Sequence, residues 1–290
     1  MIKKRRPRDF HLLPKSKCLL RLVPQTADIK YLVRLSPEPD PNRVLVLVHG
    51  ISRSPSFMIQ CLAERADREN FSLVAPIFSH RTFDDYQRLG RLFRGQRADL
   101  ALLRILEDAK QWTGLPESYH LFGFSGGAQF CHRFVMTGAT QIRSLTLASA
   151  GWYTDPSSEQ RYPYGVGRSD SLPVQLMPER LYRTPTLVLV GENDIQQDAA
   201  LVGGRVDQAQ GKNRMLRAVW FHSKLAQHAQ AAGLDTQHLF DVLPNTGHDF
   251  VEATTLGGLV DRLFDFCTSP QSNNQSVASE NSEETELSSI

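Results

Sequence analysis

HLFGFSGGAQF, residues 120–130, is the stretch on which the reading of this chain turns. An apolar run ends at Phe124, a helix-like run begins at Gly127, and Ser125 stands between them. Gly123, Phe124, Ser125, Gly126 and Gly127 fit G-x-S-x-G. By composition alone that pattern recurs in about one chain of this length in ten. Its meaning comes from position, because a serine on a sharp strand-to-helix turn is held in unfavourable backbone angles with its hydroxyl exposed. Glycines are needed beside it, since a Cβ there would strike the neighbouring strand or helix. The turn also points a helix N-terminus, with its unpaired N–H groups, at any negative charge that develops.

The flanking sequence supplies the rest of such an arrangement. KCLLRLV (17–23) and IKYLVRL (29–35) read as a hairpin or two neighbouring strands. RVLVLVHG (43–50), FSLVAPIF (71–78), YHLFGF (119–124), SLTLASA (144–150), TPTLVLVG (184–191) and HLFDVLP (238–244) read as further strands. The near-continuous Val and Leu of 43–50 suit a strand buried on both faces. Helical patterns occupy 56–70, 97–112, 127–136, 213–230 and 250–267, the last weakened at Gly257 and Gly258. Strands alternating with helices predict one α/β domain over 15–268, a mostly parallel sheet flanked by helices. No internal repeat breaks that pattern.

A serine needs a base held by a third group. His248, in the turn PNTGHDF (244–250), follows the last strand and is the candidate base. The acid is expected in GENDIQQD (191–198), with Asp194 favoured over Glu192 and Asp198. Two N–H donors must face the anionic intermediate. The backbone of Gly126 offers one, and that of Ile51, after His49-Gly50, offers the other. His49 is then expected to support its loop and not to carry protons.

His-Gly, Ser, Asp and His, in that order at the ends of strands, resemble the α/β-hydrolase superfamily over nearly all of 17–268. The resemblance implies a single-domain α/β-hydrolase fold, and 151–183, longer than a tight crossover between two strands needs, reads as a short lid insertion. The same resemblance makes Ser125 the nucleophile, Asp194 the orienting acid and His248 the base. The short cap and the HGISRSP turn are similar to poly(hydroxyalkanoate)-depolymerase-like and feruloyl-esterase-like hydrolases, which implies an ester substrate. An acyltransferase, a peptidase, or a binding protein that keeps only the scaffold are the alternatives. No P-loop, G-x-G-x-x-G or H-E-x-x-H is present, and the expected chemistry needs no cofactor or metal.

Composition fits that picture. The chain has 290 residues, 41% hydrophobic and 22% charged, enough to bury a core. A formal net charge of +2 does not suggest nucleic acid as the main partner. Lys3, Lys4, Arg5, Arg6 and Arg8 make residues 1–14 a basic arm, read as a solvated terminus. Its paired arginines precede no apolar h-region, so no secretion signal is expected, and no segment has the ~18 apolar residues of a membrane span. Cys18, Cys61, Cys131 and Cys267 are isolated, as suits buried thiols in a reducing cytoplasm. Residues 269–290 lack apolar content and are expected to be disordered.

Two segments bear on the substrate. In 151–183, Trp152, Tyr153, Tyr162 and Tyr164 could line a pocket or pack the loop onto the body. Arg88, Arg91, Arg94 and Arg97 are read as a solvated basic face rather than an anion site. Oligomeric state is not legible from the sequence.

Overall fold

Eight strands form one sheet in the order β1-β2-β4-β3-β5-β6-β7-β8. They are β1 Cys18–Leu22, β2 Lys30–Arg34, β3 Val44–Val48, β4 Ser72–Ile77, β5 Ser118–Phe124, β6 Gln141–Ala148, β7 Thr186–Gly191 and β8 His238–Leu243. The computed structural model describes residues 18–113, 118–197, 201 and 203–270. The basic arm, Asp198 and residues 271–290 lie outside the described residues.

β1 and β2 form the expected hairpin, and β2 joins β4 antiparallel. Every other pairing is parallel. The apolar run of 43–50 explains its central place, because all five residues of β3 are buried. Helices cover both faces: α1 Pro55–Arg68, α2 Ala98–Thr113, α3 Gly126–Met136, α4 Pro178–Tyr182, α5 Arg205–Gln210, α6 Arg214–Ala231, α7 Phe250–Thr255 and α8 Leu259–Thr268. Val46, Val48, Leu121 and Leu145 pack with α2, α3 and α6 residues on one side. Leu45, Leu47, Phe122 and Leu189 pack with α1 and α8 residues on the other. Two apolar faces on one strand are what alternation requires when both sides of a sheet are covered.

Two expectations need correction. The single helix expected over 250–267 is two, because Gly258 takes φ 68° and caps α8 at a turn between them. Cys18 is exposed and Cys61 half-buried, so only Cys131 and Cys267 are the buried thiols expected; all four are free. Among the described residues no helix is long and apolar enough to cross a membrane.

Candidate active site

Parallel register brings the loops of interest to one edge. Val48 pairs with Gly123, Phe124 with Ala148, and Gly191 with Leu243. The segments after β3, β5, β6, β7 and β8 therefore all leave the sheet at its carboxyl end, where open α/β sheets take ligands.

Ser125 sits there at φ 55°, ψ −114°. For a residue with a Cβ this conformation costs ~1–3 kcal/mol, and the surroundings must hold it. They do so closely. Ser125 N–H donates to the Ala148 carbonyl at 2.8 Å. A Cβ on Gly127 would lie 1.9 Å from Val48 O, and one on Gly123 would lie 2.4 Å from Gly127 C. Both outer glycines of the motif are thus fixed by backbone-to-backbone approach.

His248 reaches the serine from β8. Ser125 Oγ–H donates to His248 Nε2 at 3.0 Å, and His248 Nδ1–H donates to Asp194 Oδ2 at 2.9 Å. His248 lies against the buried Phe124 ring, centroids 5.6 Å apart, and Phe250 meets Phe124 edge-on at 5.1 Å. Asp194 is 2% exposed, and its other oxygen accepts from Arg214 Nη1 at 3.2 Å. Nothing in the sequence marked Arg214. An arginine opening an amphipathic helix looks like any solvated one, and only the folded chain buries it.

The loops carrying acid and base are stitched together. Asn193 N–H donates to Thr246 O at 2.8 Å and Glu192 N–H to Leu243 O at 2.9 Å. The Glu192 carboxylate is spent on the Asn245 N–H at 2.9 Å. Glu252 likewise accepts from the Gly247 N–H at 2.8 Å. Of the two described acids in the 191–198 turn, Asp194 is the one that meets His248.

On the other side stands the loop after β3. Gly126 opens α3, so its N–H falls outside the helical ladder. A Cβ on Gly126 would lie 3.0 Å from Ile51 Cγ2, 3.0 Å from Gln87 Nε2 and 2.6 Å from Tyr86 Oη. The Ile51 side chain thus borders Gly126. His49 is 1% exposed, and its ring serves the backbone. Nε2 accepts from Phe78 N–H at 3.1 Å, so the proton is on Nδ1, which faces Gly50 O at 2.9 Å. Burial pushes its pKa down to about 4. Tyr86 Oη–H donates to His49 O at 2.9 Å and braces the same loop.

The segment 151–183 packs inward at its aromatic residues. Tyr153 stacks on Phe221 with centroids 4.0 Å apart, and Trp152, Tyr153 and Tyr162 are all buried. The arginines of 88–97 are not simply solvated, because Arg88 and Arg91 pair with Asp85 and Arg97 with Asp99. Arg94 alone among the four is exposed without such a pair. Among the described residues no group of three or more His, Cys, Asp or Glu side chains could hold a metal ion.

Comparison with solved structures returns the same architecture. Poly(aspartic acid) hydrolase-1 from Sphingomonas sp. KT-1 matches 86% of this chain and 98% of its own, at 20% identity and a TM-score of 0.71. The poly(3-hydroxybutyrate) depolymerase from Bordetella parapertussis matches 89% and 91%, at 25% identity and 0.69. The chain has the α/β-hydrolase fold. An S-formylglutathione hydrolase from Agrobacterium tumefaciens shares that α/β-hydrolase fold at 14% identity, 87% and 94% coverage and a TM-score of 0.60. No protein-family model and no curated protein sequence matches the chain.

Proposed function

We propose that the protein hydrolyses carboxylic esters through Ser125, His248 and Asp194. The observation that carries this reading is the line of two hydrogen bonds, 3.0 Å and 2.9 Å, ending on a serine in strained backbone. A structural serine needs neither the strain nor the imidazole. The hydrolases and the depolymerase that share the fold add support.

In this reading His248 Nε2 takes the Ser125 proton as Oγ attacks the ester carbonyl carbon. The carbonyl electron pair moves onto oxygen, facing the N–H groups of Gly126 and Ile51. One such donor contributes ~10²–10³ in kcat. Collapse expels the alcohol, which takes the proton from His248 and leaves an acyl-Ser125 ester. Water then attacks that ester, giving its proton to His248, and release of the acid returns the proton to Ser125. Asp194 holds the Nδ1–H tautomer throughout and stabilises the imidazolium. Arg214 positions Asp194.

A fluorophosphonate probe tests the assignment. The native protein becomes labelled on Ser125, and labelling is lost in Ser125→Ala and falls steeply in His248→Gln. Undiminished labelling of Ser125→Ala, or none in the folded native protein, removes the proposal.

A further inference from the structure

Two glutamines close to Ser125 in the fold have side chains with no hydrogen-bond partner within the protein. Gln129, one turn along α3 from the serine, is 92% buried by its relative exposure of 8%, yet its carboxamide makes no hydrogen bond. Its Nε2 faces Gly151, 2.8 Å from where a Cβ on that glycine would be. Gln87 stands in the 3₁₀ turn Tyr86–Arg88, half-buried, its Nε2 beside Gly126 and likewise unpaired. Neither carboxamide is sealed from solvent, so both keep donors and acceptors that a substrate can take in place of water.

One arginine brings the two residues together. The fully buried Arg133 donates through Nη1 to Gln87 O at 2.7 Å and to Gln129 O at 2.9 Å. Its Nε donates to Thr154 Oγ1 at 2.8 Å, and its guanidinium lies over Trp152 at 4.4 Å. The backbones of Gln87 and Gln129 are therefore held rigidly while their side chains stay available. Topology sets which part of a substrate they meet. His248 comes from β8, at one end of the sheet, and must lie by the leaving alcohol to protonate it. Gln87 follows β4, on the opposite side of β5. The acyl substituent, pointing away from His248, runs toward Gln87, and Gln129, one turn along α3 from Ser125, flanks it from the Gly151 side.

Resting on the ester-hydrolase reading, we infer that Gln87 and Gln129 form an acyl subsite selecting acyl groups that carry a hydrogen-bond acceptor oxygen close to the carbonyl, over plain alkyl chains. Sites built to hydrogen-bond a substrate reject the apolar isostere, because their own buried groups are then left unpaired.

The test compares p-nitrophenyl methoxyacetate with p-nitrophenyl butanoate, which differ by an ether oxygen in place of a methylene. Their kcat/KM ratio is corrected for the ratio of uncatalysed rates. The native protein is expected to favour methoxyacetate, and Gln87→Leu and Gln129→Leu each to lower the ratio about tenfold. Gln87→Leu, on the half-buried residue, keeps the test open if Gln129→Leu does not fold. An equal loss on both esters marks Gln87 as an oxyanion donor and overturns the inference, as does an unchanged ratio. If neither ester is turned over and the probe does not label Ser125, the hydrolase reading has failed and this one with it.

Discussion

Arg214 Nη1 lies 3.2 Å from Asp194 Oδ1, on the carboxylate oxygen that His248 does not use. Both members are about 2% exposed, so the pair sits out of water. Removing one partner of a buried pair costs ~3–5 kcal/mol because the other charge is left uncompensated. Arg214→Met should therefore lower both the melting temperature and kcat. Arg214→Lys should restore much of the stability, and less of kcat, since an ammonium cannot hold the carboxylate in the same orientation. Full activity in a folded Arg214→Met protein would detach this arginine from the site.

Asp194→Asn and Glu192→Gln separate the acid from its neighbour. The amide at 194 cannot stabilise the imidazolium and presents an N–H to a ring nitrogen that must donate. A loss of ~10³–10⁴ in kcat is expected. Glu192→Gln should cost only a few-fold, through the loosened Asn245 turn. Steady-state kinetics on one activated ester decides between them, and the reverse ranking would refute the assignment of Asp194.

Alanine at the motif glycines should sort by what the new Cβ strikes. At Gly127 it meets backbone, Val48 O at 1.9 Å, with no cheap escape. At Gly126 the nearest atoms are all side-chain termini, from 2.6 Å outward. Gly127→Ala is expected to be poorly folded, and Gly126→Ala to be folded but slow, with the methyl crowding the N–H face. Thermal melts and kcat/KM of the two variants check this. Equal melting temperatures would contradict the close packing of α3 on β3.

Acid should destabilise the fold through buried histidines other than His248. Burial holds His49 and His120 down at about 4, and His132 well below its ordinary value. In the unfolded chain each takes up a proton near ~6.5. The unfolded state therefore binds more protons between ~6.5 and about 4. Their contribution is complete above ~6.5 and is lost as pH falls toward about 4. From about pH 7 to about pH 5 the expected loss is about 1–2 kcal/mol per histidine. Urea unfolding at the two pH values measures it, and a flat stability would show these rings already accommodate charge.

Local rules carried much of the architecture. Alternating apolar strands and amphipathic helices are periodicities within about fifteen residues, which is why β3 to β8 and α1 to α3 were legible. The turn at 123–127 was legible for a related reason, since glycine sterics act on immediate neighbours. The break between α7 and α8 was less so. Gly257 and Gly258 weaken a helix, but whether the chain bends there depends on its packing against the sheet.

What the sequence determined by itself was the kinds of group available at each strand end: a serine among glycines, acids in one turn, a histidine in another. It favoured Asp194 among the acids of 191–198 without fixing what that carboxylate meets, and it did not single out Arg214 or Gln129. Those contacts depend on distances across loops 54 and 123 residues apart, between His248 and its two partners. Only sheet register and packing set such distances. Glu192 and Asp194 are two positions apart and chemically alike, yet one turn sends the first to a backbone amide and the second to an imidazole and a buried guanidinium.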